Sequence, residues 1–365
     1  MNTPEIEKPR AFGIGLIALD LVMSANPNQP VQAWAGGTCG NVLSILAYLG
    51  WESYPIARMN GDPASERVRA DMSRWGVKLD FAGCEPTSHT PIIIQEISRG
   101  RDGSPRHRFS WACPRCGQWL PSFKSVTRQA VDVVGDGLNG AKLFFMDRLS
   151  RAALTLAGRA ADAGAIVMFE PSGKSDPKLF AEALQLAHIV KYADQRLSEA
   201  GGAMAGDSAT ILEIQTMGIE GLRYRHRLGR PSDWTHLPAV SAPQLLDSCG
   251  SGDWCSAGLL SKIAGGGLAG LKSASIKDLT SALRYGQAIA AWNCAFEGAR
   301  GGMYAVDRER FDDLIRQILD GRMGDPIPRP RGMVEEAISC PACPPPRRDR
   351  PEPRSLPLQR KMVET

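Results

Sequence analysis

The chain has 365 residues, 43% of them hydrophobic and 22% charged, with a formal net charge of +4. Length and composition suit a globular protein with a sizeable core, built as one large α/β domain or two smaller ones. The charge is too small to argue for nucleic acid, no run of about 18 apolar residues argues for a membrane span, and the polar stretch Met1 to Arg10 lacks a signal-peptide core, so the expected location is the cytoplasm.

Ala11 to Val22 is an apolar run punctuated by Gly13 and Gly15. It reads as a buried first strand with Asp20 at its carboxyl end, where open α/β sheets meet their ligands. By position alone a turn or cap aspartate is the commoner reading. Gly36-Gly37-Thr38-Cys39-Gly40-Asn41-Val42 then feeds Ile45, Leu46 and Leu49 at helical spacing, and Gly50 closes the helix. Ser53–Ala57 is a strand, Pro63–Trp75 a helix stopped by Gly76, and Thr90–Ser98 a β-branched strand.

The basic segment 99–125, with Gly and Pro, interrupts the pattern. Strands and helices alternate again afterwards. Strands are expected at Lys142–Asp147, Ile166–Glu170, His188–Tyr192 and Thr210–Gln215, and helices at Ala152–Ala163, Lys178–Ala187, Lys277–Glu297 and Arg308–Leu319. Such alternation predicts a doubly wound, mostly parallel sheet covered by helices on both faces.

Between these elements lies Asp247-Ser248-Cys249-Gly250-Ser251-Gly252-Asp253, followed by a small-residue apolar run from Trp254. If a helix starts near Gly252, unpaired N–H groups converge at its positive end and form an anion hole suited to a phosphoryl group. Glycines allow the backbone to approach the ligand. Asp253 would stand beside it as a base; a plain N-cap aspartate is the competing reading.

This run resembles the C-terminal signature of the ribokinase-like (PfkB) carbohydrate kinases, Asp-Thr-x-Gly-Ala-Gly-Asp, with Ser248 and Ser251 as mild replacements. The Gly36–Gly50 segment resembles the family's first signature, with Leu43 in place of an Ala. Over roughly residues 10 to 322 the resemblance implies a ribokinase-like fold with a small, short β lid. It implies ATP-dependent phosphorylation of a hydroxyl on a sugar, sugar acid or nucleoside, with Asp253 as base and Gly250, Ser251 and Gly252 as anion hole. Asp20, Gly37 and Asn41 would hold the acceptor. Thr216, Gly218 and Gly221 resemble the family's turn near the ATP phosphates, and Asn293 lies where the family closes over adenine.

Lys191 and Asp194 fall where the family carries Lys-x-Asn and a magnesium-organising Asn-x-x-Glu. Here Ala193 and Arg196 take the Asn and Glu positions. Asp194 or Glu199 would substitute, or Mg2+ would be held mostly by ATP and water. This departure keeps open a catalytically weak nucleotide- or sugar-binding regulatory protein on the same fold. Monomer and homodimer both remain open.

Nine cysteines, an odd number, argue against a disulfide framework in a chain without an export signal. Cys113-Pro-Arg-Cys116 and Cys340-Pro-Ala-Cys343 share one form, and two such knuckles complete a tetrahedral zinc site. Segment 99–125 would thus form a structural Zn2+ module with 333–343, appended to a kinase domain over 10–325. Redox chemistry and two unrelated reduced pairs are the alternatives. The Pro/Arg-rich stretch 344–365 reads as disordered; with the zinc module it also allows an interaction role.

Overall fold

The computed structural model describes residues 7–322, apart from 27, 86, 102, 115, 173–175, 198–202 and 205. The chain runs β1 (Arg10–Ile14), β2 (Ala18–Met23), β3 (Gln32–Gly36), α1 (Thr38–Tyr48), β4 (Glu52–Met59), α2 (Pro63–Arg74), β5 (Ala82–Cys84), β6 (Ile92–Arg99) and β7 (Pro105–Ser110). Next come α3 (Arg128–Gly135), β8 (Ala141–Met146), α4 (Arg151–Asp162), β9 (Ile166–Phe169), α5 (Pro177–Leu186), β10 (Ile189–Ala193) and β11 (Leu212–Thr216). It ends with β12 (Leu222–His226), β13 (Thr235–Leu237), α6 (Ser251–Ile263), α7 (Gly267–Ser273), α8 (Ile276–Asn293) and α9 (Arg308–Leu319).

Nine strands form the main sheet in the order β13-β12-β11-β10-β9-β8-β1-β4-β5. From β11 to β5 all neighbours are parallel; β12 and β13 add an antiparallel edge. Period-2 alternation splits the core. Leu143 and Phe145 of β8 pack into one cluster with Val42, Trp254 and Leu283, while Phe144 and Met146 join the other with Val134 and Leu156. Helices therefore cover both faces, as a parallel sheet requires. On the first face α6 meets α8 closely. A Cβ on Gly286 would lie 2.6 Å from the Cys255 carbonyl oxygen, so glycine sets that separation.

The second sheet, β3-β2-β6-β7, forms the lid. Here the structure departs from a single first strand ending at Asp20. The chain turns at Gly15, where a Cβ would fall 1.7 Å from Asp147 Oδ1, and re-enters as β2. Asp20 thus sits in the middle of a lid strand, not at the end of a core strand. The lid is also larger than expected, because β6 and β7 complete it. Segment 105–110, within the region after Ser98, supplies its edge strand.

Helix starts divide into two kinds. Asp62, Ser150 and Ser275 cap α2, α4 and α8 with side-chain bonds to first-turn amides, as such residues commonly do. By contrast, α1 and α6 begin on Gly37 (φ 76°) and Gly250 (φ 75°) without a side-chain cap.

Candidate active site

Both of those bare helix starts open into one cleft of about 520 Å³, between the lid and the carboxyl ends of the central strands. Asp20, Gly37, Asn41, Lys191, Asp194, Thr216, Gly218 and Gly250 to Asp253 all line it. Residues dispersed over most of the chain are brought together at the place where open α/β sheets bind ligands.

Gly250 is left-handed, and a Cβ there would lie 2.3 Å from the Ala299 carbonyl oxygen, so both backbone and space require glycine. The first turn of α6, Ser251 to Asp253, lines the cleft; first-turn amides have no intrahelical acceptor. The Ser251 amide donates to the Ser248 carbonyl at 3.2 Å, which tightens the loop. Asp253 lies in that first turn, 9% exposed, and accepts a 2.7 Å hydrogen bond from Asn41 Nδ2. Burial raises its pKa to about 7, with the nearby Glu170 charge adding to the rise, while Asn41, Lys191 and Arg196 oppose it.

Asp20 is likewise pushed up to about 7 by burial, against a backbone bond from Gly37 and the charge of Arg300. Its Oδ1 and Asn41 Oδ1 are buried acceptors without a partner among the described residues. Orphaned acceptors of this kind are costly unless a ligand or water supplies donors.

Beneath the loop, Lys191 Nζ donates to Glu170 Oε1 at 2.6 Å and to the Gly252 carbonyl at 3.1 Å. Ser256 donates to the other Glu170 oxygen at 2.5 Å. Burial works against the lysine's charge, but Glu170 holds its pKa above the ordinary value. Lys191 therefore braces the first turn of α6 from beneath. Asp194 follows β10 and accepts from the Gln195 amide. Gly221 and Asn293 stand outside the cleft lining. Gly221 shapes the turn before β12, where a Cβ would meet the Leu237 carbonyl oxygen. Asn293 is fully buried, donating to the Ala299 carbonyl at 3.1 Å and accepting from the Gly302 amide at 3.0 Å.

Sequence reading missed a second layer of residues. Asp247 accepts from Gln95 Nε2 at 2.6 Å and from the amides of Cys249 and Gly298, each at 2.9 Å, with His107 Nδ1 3.5 Å away. Burial alone would raise its pKa, yet those bonds hold it below the usual carboxylate value. One carboxylate thus joins the lid to the loop that leads into α6. Glu170, Arg148 and Arg196 also line the cleft. The only signal for Glu170 was its place at the end of a predicted strand.

Cys113 is buried and Cys116 exposed at the end of the lid. The Cys113 carbonyl accepts from the Gly117 amide at 2.8 Å, and Gly117 has φ 72°. Cys340 and Cys343, like Glu199, lie outside the described residues. Among the described residues no group of three or more His, Cys, Asp or Glu converges as a metal site, and no helix is long and apolar enough to cross a membrane.

Residues 12–304 match the profile of the pfkB family carbohydrate kinases. No curated protein matches the chain. Among solved structures, a fructokinase with bound ATP from Xylella fastidiosa superposes with a TM-score of 0.65 at 20% identity, over 85% of this chain and 98% of that one. Arabidopsis thaliana ribokinase complexed with ribose and ATP gives 0.62 at 17%, over 85% and 99%. A Burkholderia thailandensis nucleoside kinase in complex with inosine gives 0.61 at 20%, over 88% and 99%. At these identities the likeness establishes the fold, which is ribokinase-like.

Proposed function

The chain belongs to the pfkB family of carbohydrate kinases, and from that premise we propose that it transfers the γ-phosphoryl group of ATP to a hydroxyl of a sugar-like or nucleoside acceptor. The observation that carries this reading is the pairing of Asp253 with Asn41 at the bare start of α6, facing two unpartnered acceptors, Asp20 Oδ1 and Asn41 Oδ1. Asp20, Asn41 and the Gly37 backbone orient the acceptor's hydroxyls. Asp253 takes the proton from the attacking hydroxyl, a new bond forms from that oxygen to the γ-phosphorus, and the bond to the β-phosphate oxygen breaks. The first-turn amides of Gly252 and Asp253 stabilise charge on the transferring group. Thr216 and Gly218 border the ATP phosphates, and Arg148 and Arg196 add positive charge to the cleft.

Magnesium fits this site as an ion carried largely by ATP. One or two carboxylates plus phosphates and water satisfy it, and Asp194 and Glu170 are the cleft carboxylates that would serve. When bound it neutralises phosphate charge. The altered Asn-x-x-Glu positions, Ala193 and Arg196, agree with a site that leans on the nucleotide itself.

The same reading assigns Cys113, Cys116, Cys340 and Cys343 to one structural zinc, supported by the tight Cys-x-x-Cys-Gly turn at the lid's end.

ADP release from Mg-ATP, measured with the full chain over sugars, sugar acids and nucleosides, tests the kinase. Turnover with at least one acceptor, abolished in Asp253→Asn, is expected. ATP binding with no ADP release from any acceptor would favour the regulatory protein instead.

A further inference from the structure

One face of the lid carries apolar rings that phosphoryl transfer itself does not need. Alternation along β7 puts His107 and Phe109 on one face, and Trp111 follows in the same phase. That face is turned inward, since His107 approaches Asp247 and all three side chains line the cleft. Phe109 and Trp111 remain 38% and 46% exposed there. In register, Asp20 lies opposite Ile93, and Gln95 lies opposite Phe109. Asp20 and the rings therefore share the lid's inner face, about 10 Å apart across two strand spacings.

The two ends of this span differ in chemistry. At one, Asp20 and Asn41 present unpartnered acceptors that match hydroxyl donors. At the other, the wall is Ile93, Phe109 and Trp111. A free sugar carries hydroxyls at its far end as well, and Ile93, Phe109 and Trp111 offer them no side-chain acceptor. A planar base stacks on aromatic faces instead.

We propose that the acceptor is a ribonucleoside-class molecule, with its ribose hydroxyls on Asp20 and Asn41 and its base against Phe109 and Trp111. This rests on the kinase reading of the same cleft, and the test separates the two. Binding is measured by equilibrium dialysis of labelled uridine, inosine and D-ribose to the full chain, with the ATP site saturated by a non-hydrolysable ATP analogue. At least one nucleoside should bind 100-fold or more tighter than ribose. Trp111→Ala should weaken that binding at least tenfold, and Trp111→Phe should recover most of it.

ADP release with the same compounds is read in parallel. Nucleoside binding that depends on Trp111, without ADP release, leaves the acceptor class standing and overturns the kinase. ADP release from ribose or another free sugar, with neither nucleoside binding, overturns the acceptor class and leaves the kinase. Nucleoside binding indifferent to both Trp111→Ala and Phe109→Ala also overturns the assignment of the base to the lid.

Discussion

Asp253 sits desolvated beside the Glu170 charge, and both effects push its pKa up to about 7, near the value that suits a general base at neutral pH. Two outcomes follow from that one number. The rate at low acceptor concentration should climb with pH and level off above about 7, because only the ionised form accepts a proton; a pH–rate profile flat from 5 to 8 would contradict the role. Stability should run the other way. The folded-state pKa lies above the ordinary 3.8, so the protonated folded form is favoured, and stability is full below about 4 and lost as pH rises through 7. Asp253→Asn removes that penalty. It should cut kcat by about 100- to 10,000-fold while raising stability at pH 8 by about 1–4 kcal/mol relative to pH 4. Parallel denaturant melts at the two pH values check the sign. A catalytic carboxylate held at a cost to the fold is a common trade.

At the scale of elements, two glycines in helices make opposite demands. Gly286 of α8 has no room, since its Cβ would meet backbone of α6 at 2.6 Å. Gly158 of α4 faces open space. Gly286→Ala should therefore destabilise by about 1–3 kcal/mol through overpacking, and should lower kcat as well if the start of α6 is the proposed anion hole. Gly158→Ala should stabilise by about 0.5–1 kcal/mol by helix propensity alone. Equal melting shifts for the two would show that the α6–α8 contact is softer than its geometry. Helices and parallel strands were legible because their signals are local: Arg308–Leu319 was bounded to the residue, and β8 to β11 shifted by only one or two positions. The lid was not. Ala11–Val22 reads as one apolar run punctuated only by Gly13, Gly15 and Asp20, and the packing of Asp147 against Gly15 marks the turn that parts β1 from β2. The same limit hid Gln95, His107 and Asp247, which touch across 152 and 140 residues of chain.

Over the whole molecule, the lid is joined to the rest at several places, among them Ser24 to Glu297, and Ala35 to Asp71 and Arg300. Near the cleft, Asp247 bonds Gln95 and sits against His107 from the lid, while also receiving the amides of Cys249 and Gly298. One carboxylate thus joins the lid to the loop before α6. At the lid's far edge stands the Cys113–Cys116 turn, closed by the Gly117 amide and bracketed by the Ala112–Trp119 bridge. Zinc shared with Cys340 and Cys343 would tether the chain's C-terminal part to that edge. The ligands come from distant segments, so the metal would hold the tail without nucleating the main sheet, whose core is built from apolar clusters on both faces. Elemental analysis should find about one zinc per chain, lost when either cysteine pair is replaced by serines. Chelation should change the emission of Trp119, 80% exposed beside the turn, while far-UV circular dichroism stays nearly constant. Metal-free protein from a zinc-replete preparation, or global unfolding on chelation, would rule out a tether of this kind.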